Sequence, residues 1–153
     1  MGERLTIGEI CTRNVSYAER SLPLVEAARL MREHHVGCLV VVDEAGGQRK
    51  VVGMLTDRDI VVAVVARSVA PQTLVVGDVM SADPVSARES DSLIDLMRTM
   101  RSKGVRRVPV VGDGNVLIGI ATLDDVLAVL AEELGLLVAA IDREGQRERQ
   151  QRR

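Results

Sequence analysis

Apolar residues at Leu93, Ile94, Leu96, Met97 and Met100 recur at helical spacing and predict one amphipathic helix. The stretch Ser21–Met31 aligns with Ser90–Met100 at an offset of 69 and predicts a second helix of the same kind. Ser21 and Ser90 are expected as N-caps, Pro23 in a first turn and Gly104 at a C-terminal stop. Each helix leads into an extended apolar run, Leu39–Val42 or Val108–Val111. A turn and a second strand follow, Val51–Leu55 or Val116–Ala121. The second copy turns at Gly112-Asp113-Gly114-Asn115, a hairpin signal, and the first spends three more residues there.

The sequence repeats itself most plainly where each second strand ends. Gly53-Met54-Leu55-Thr56-Asp57-Arg58-Asp59-Ile60 is echoed, 66 residues later, by Gly119-Ile120-Ala121-Thr122-Leu123-Asp124-Asp125-Val126. A duplicated unit cannot easily bury its apolar face alone, so the copies are expected to share one body. Each unit reads strand, helix, strand, strand, helix, which gives an α/β fold of the α+β type. The divisions expected are 1–67, a connector at 68–78, 79–141, and a charged, frayed or solvent-exposed tail at 142–153. Ile60–Ala66 alone resembles a buried strand, but its counterpart Val126–Glu132 prefers helix, and the repeat carries that preference back. A helix apolar all round must be covered all round. With Leu134, Leu136, Leu137, Val138 and Ile141 also apolar, a homodimer is expected.

Composition narrows the function classes. At 153 residues, 46% hydrophobic and 27% charged, the chain suits a compact soluble domain or two halves sharing a core. A formal net charge of −2 gives no general pull toward nucleic acid or anionic membrane. Tyr17 is the only aromatic residue, which leaves no stacking platform for single strands. No apolar run reaches the length of a membrane span, no signal-peptide core is present, and the cytoplasm is the expected location. Met1–Thr6 fits the loose N-myristoylation pattern, which chance also produces. Cys11 and Cys38 are expected as reduced thiols; a redox pair would need geometry that spacing alone cannot supply. His34 and His35 point in different directions near a helix end, which suits dipole compensation better than a metal.

The Thr-x-x-Asp corners admit two readings. Thr56 and Thr122 can cap a helix while Asp59 and Asp125 complete a capping box. The same corner presents N–H groups and a hydroxyl to a cleft, where an anion fits, and an aspartate one turn in can accept bonds from ribose hydroxyls. Because a carboxylate repels free phosphate, the two groups would address different parts of one ligand.

At these residues the chain resembles a tandem pair of cystathionine β-synthase (CBS) domains, a Bateman module, over about residues 6–135. The resemblance rests on the doubled Gly-apolar-apolar-Thr-x-x-Asp-apolar motif and on Val105-Arg106-Arg107-Val108-Pro109-Val110-Val111. It implies a non-catalytic module with pseudo-two-fold packing. Such modules bind AMP, ADP, ATP, S-adenosylmethionine or diadenosine phosphates in two clefts and signal to a partner protein. Carried over residue by residue, Asp59 and Asp125 would hold ribose and Thr56 and Thr122 would face phosphate or base. Arg106 and Arg107 would take phosphate, which guanidinium groups grip bidentately, with Arg58 as a further phosphate contact. In the first copy Gly37, Cys38 and Val40 replace the arginines and the proline, so one better site is expected. The competing reading is a ligand-free scaffolding dimer whose corners only cap helices. An enzyme is disfavoured because no nucleophile triad, metal cluster or P-loop is apparent, and DNA regulation because no recognition helix is.

Overall fold

A computed structural model describes residues 5–152, so the first four residues of the Met1–Thr6 pattern lie outside the described residues. Two sheets and their helices form two similar halves. The elements of the first half are α1 (Ile7–Ile10), β1 (Tyr17–Glu19), α2 (Leu24–His34), β2 (Cys38–Ala45), β3 (Gln48–Thr56) and α3 (Asp57–Ile60). Then come α4 (Val76–Val79), β4 (Ser81–Ala82), β5 (Ala87–Arg88), α5 (Leu93–Lys103), β6 (Arg107–Val111), β7 (Leu117–Thr122) and α6 (Leu123–Gln151). One sheet runs β1-β2-β3-β4 and the other β5-β6-β7. In each, a parallel pair is followed by an antiparallel hairpin.

The helix starts differ from expectation. Pro23 and Ser92, aligned at the same offset, are the N-caps of α2 and α5, two residues beyond Ser21 and Ser90. Ser21 and Ser90 sit in the preceding turns, closed by Leu22 N–H to Glu19 O and Asp91 N–H to Arg88 O. Ser92 Oγ takes the Asp95 N–H at 3.2 Å, the bond expected of a cap. Gly104 does end α5, at φ 65°, whereas α2 stops on His35 at φ 55°. His34 Nδ1 lies 2.9 Å from Ser16 Oγ. The longer first hairpin turns on Gly46 and Gly47, both at positive φ, as a two-residue primed turn requires.

The short helices are exchanged between the halves. Ile7 of α1 is fully buried with Leu93, Leu96, Val108 and Val110 of the second half. Val76 of α4, within the stretch expected as a connector, is fully buried with Leu24, Leu39 and Leu55 of the first. Backbone bonds fix both: Ile7 N–H to Asp91 O and Val76 N–H to Leu22 O, each 2.9 Å. A third cluster, Val40, Val42, Val51 and Val111, joins the two sheets.

Ile60–Ala66 is helical, as the repeat predicts, but α3 passes into a π-helical turn at Val61–Val65. Ala66 N–H reaches back five residues to Val61 O at 2.8 Å. Successive β-branched side chains crowd an α-helical turn, and a wider turn relieves them. Only Val64 is buried there; Val61, Val62 and Val65 are exposed. The tail, expected as frayed or solvent-exposed, is exposed and helical through Gln151. Most residues from 132 to 151 prefer helix, which carries α6 beyond the packed body of the molecule.

Candidate functional site

Both Thr-Asp corners are complete capping boxes. Asp59 N–H donates to Thr56 Oγ1 at 3.1 Å, and Thr56 N–H donates to Asp59 Oδ2 at 2.8 Å. Thr122 and Asp125 repeat this at 3.2 and 2.8 Å. The capping reading is therefore correct as far as it goes. It uses one carboxylate oxygen of each aspartate, and among the described residues no side chain or backbone group donates to either Oδ1.

The motif glycines have a packing reason that the sequence reading did not supply. A Cβ on Gly53 would lie 2.5 Å from Met80 Sδ, and one on Gly119 would lie 2.7 Å from Thr12 O and 3.0 Å from Cys11 Sγ. Met80 and Cys11 cap α4 and α1, so each glycine admits the end of an exchanged helix. Behind it, Ser81 pairs with Met54 and Thr12 with Ile120.

One cavity of about 250 Å³ brings the candidates together across the halves. Thr56 and Asp59 line it from the first half, and Arg106 and Arg107 from the second. Met54, Pro84, Val85 and Val105 supply apolar walls, and Ser81 a hydroxyl. Met54 and Val105 lie within the quoted motifs but were assigned no binding role, while Ser81, Pro84 and Val85 carried no signal in the sequence. The arginines are exposed at the mouth of β6, and Leu123 N–H holds Arg106 O at 2.8 Å. A smaller recess of about 110 Å³ runs from Arg106 and Arg107 to Thr122 and Asp124. Which aspartate shares a cavity with the arginine pair, left open by the sequence, is Asp59. Asp125 does not line that cavity, and neither does Arg58, which is exposed.

By the repeat, Gly37 and Cys38 hold in the first half the places of Arg106 and Arg107 in the second. Gly37 is constrained by space, since a Cβ there would lie 2.9 Å from Asp57 Oδ2. Cys38 pairs with Thr56 across the β2–β3 ladder as Arg107 pairs with Thr122. Burial pushes the Cys38 thiol up to about 11, against the pull of Arg107 and with the push of Asp59 and Asp57. Burial also raises the Cys11 thiol, opposed by Arg13. Both thiols are free, and protonated thiols of this kind are poor nucleophiles. Among the described residues no three His, Cys, Asp or Glu side chains gather as a metal site would require.

The family model for the CBS domain matches residues 7–66 and again 76–132. The chain belongs to the CBS-domain family. Its two matched stretches make it a tandem CBS pair, and solved CBS pairs share its fold. CBS domain-containing protein YhcV of Bacillus subtilis is 38% identical over 120 residues, 78% of this chain and 81% of that protein. The structure of CBSX2 in complex with AMP superposes with a TM-score of 0.71 at 29% identity, covering 83% of this CBS pair and 96% of that chain. The CBS domain pair of protein MJ0100, solved with 5′-methylthioadenosine and S-adenosyl-L-methionine, gives a TM-score of 0.71 at 26% identity. It covers 82% of this chain and 98% of that one. No helix among the described residues is long and apolar enough to cross a membrane.

Proposed function

We propose that this CBS pair is a non-catalytic regulatory module that binds an adenosine-type ligand between its halves and passes occupancy to a partner protein. The observation that carries the reading is the cavity in which Thr56 and Asp59 of one half meet Arg106 and Arg107 of the other. The unused Asp59 oxygen suits ribose hydroxyls, the guanidinium groups suit phosphate, and Met54, Val85 and Val105 suit a base face. At about 250 Å³ the cavity is smaller than an ordinary ligand pocket, so a nucleoside would fill it and its phosphate would lie along the open arginine side. The solved CBS pairs holding AMP, or 5′-methylthioadenosine and S-adenosyl-L-methionine, support that ligand class.

Thr122 shares only the recess of about 110 Å³ with Arg106 and Arg107, and Asp125 does not line it, so the second corner would hold a ligand more weakly. A homodimer in the cytoplasm completes the reading, with a second copy covering Val61, Val62 and Val65. No nucleic acid or membrane partner is proposed. The alternative, a ligand-free scaffolding dimer, is favoured by one observation only: both threonines already have full employment as caps.

Calorimetry with AMP, ATP and S-adenosylmethionine separates the two. Binding is expected for at least one of them, weakened by about tenfold or more in Arg106→Ala/Arg107→Ala, as loss of charge-assisted bonds predicts. Those arginines are exposed and cap nothing, so their removal leaves the fold intact. Absence of binding by all three compounds would establish the scaffolding reading.

A further inference from the structure

From Ala131 onward α6 leaves the body of the molecule, and every residue to Gln151 except Gly145 is exposed. That projection is about 30 Å long, and a free helix of this length is marginal in water. Leu136 and Val138 are exposed off to the side, but the other large apolar positions fall in one row. Leu127, Leu130, Leu134, Leu137 and Ile141 advance by three, four, three and four residues, the 3.5-residue seam of a coiled coil. Leu134, Leu137 and Ile141 are 62%, 63% and 68% exposed. Large apolar side chains in such a row mark a contact surface.

Charge identifies what covers the seam. From Leu123 to Ile141 the helix carries Asp124, Asp125, Glu132 and Glu133 and no basic residue. From Asp142 to Arg152 it carries Arg143, Arg147, Arg149 and Arg152 against three acids. The helix dipole accounts for charges in the terminal turns, but not for Glu132, Glu133 or Arg143 near the middle. Pairing along the helix does not account for them either. Arg143 and Arg147, like Glu144 and Glu148, place equal charges four residues apart. Among the described residues no α6 side chain takes part in an ion pair.

We propose that the apolar seam of α6 over 127–141 is covered by the same seam of α6 from a second copy, laid antiparallel, with Leu134 and Leu137 at the crossing. With residues 134 and 137 facing one another, Leu130 of each helix lies over Ile141 of the other and Arg147 over Asp124. A parallel pair would set like charges side by side. The claim rests on the homodimer reading above and adds what lies over the tail and in which direction.

Spin labels at Gln150→Cys, in a Cys11→Ser/Cys38→Ser background, read the geometry, with light scattering for mass. A dimer is expected whose label-to-label distance is about 40 Å, against about 10 Å for a parallel pair. Leu134→Glu/Leu137→Glu, on the exposed face, is expected to abolish that distance and to lower the far-ultraviolet helix signal by no more than the projecting stretch contributes, with the rest of the fold intact. A monomer at micromolar concentration would overturn the homodimer reading and this one together. A dimer with close labels, or one whose separation ignores the two glutamates, would overturn the antiparallel tail alone. Neither result would bear on nucleotide binding, which calorimetry reads separately.

Discussion

Gly53 and Gly119 show how much a missing side chain can decide. Neither has a positive φ, so conformational freedom is not the reason for them. The reason is occupancy: sulfur and carbonyl atoms from an exchanged helix fill the place of a Cβ. The two positions should respond unequally. At Gly53 the nearest atom is the far end of the Met80 side chain, which can swing aside, although Ser81 O also lies 3.0 Å away. At Gly119 it is the backbone carbonyl of Thr12, which itself accepts the Ile120 N–H at 2.9 Å. Gly119→Ala is expected to cost about 2–3 kcal/mol and Gly53→Ala about 1–2 kcal/mol. Urea denaturation of both variants checks the order, and equal losses would show that the obstruction does not matter.

At the scale of elements, the capping boxes carry a structural demand on the same side chains to which the proposed function assigns binding. Thr122→Ala should lose about 1 kcal/mol through its cap alone. Denaturant midpoints measured without ligand would reveal this, and an unchanged midpoint would show that the box contributes nothing. The corner motifs and the order of strands and helices were legible in the sequence because doubling raised a weak pattern above chance. The N-caps at Pro23 and Ser92 were not, because Ser21 and Ser90 offered equally good chemistry two residues earlier and only the turn geometry chose between them. The π turn at Val61–Val65 was invisible as well, since its twin in the second half stays α-helical and the repeat argued for likeness. Of the two readings of the tail, exposure holds and fraying does not, because charge alone says nothing of the helix preference of its residues. At the candidate site, the four outer residues Thr56, Asp59, Arg106 and Arg107 could be named in advance. Their grouping could not, since it depends on how one half faces the other.

At the scale of the whole molecule, the exchange of α1 and α4 binds the halves more firmly than a shared surface would. Each core is closed by a helix that the chain order assigns elsewhere, and Asn115 Nδ2 donates to Val51 O across the seam at 2.6 Å. The protein should therefore unfold in one step, with midpoints in urea that coincide for circular dichroism and for a probe placed in either half. Two separated transitions would mean that the halves are independent. A ligand spanning Asp59 and Arg106 would raise that single midpoint as its excess over Kd grows, because only the assembled pair offers both groups.

The lending of helices has a consequence for how such a chain could be divided. Cut near residue 70, neither fragment would carry the cover for its own interior: the first would keep Ile7, which seals its neighbour, and surrender Val76, which seals itself. The pieces would be obliged to complement one another in trans, so the doubled gene is held together by mutual debt as well as by its peptide bonds.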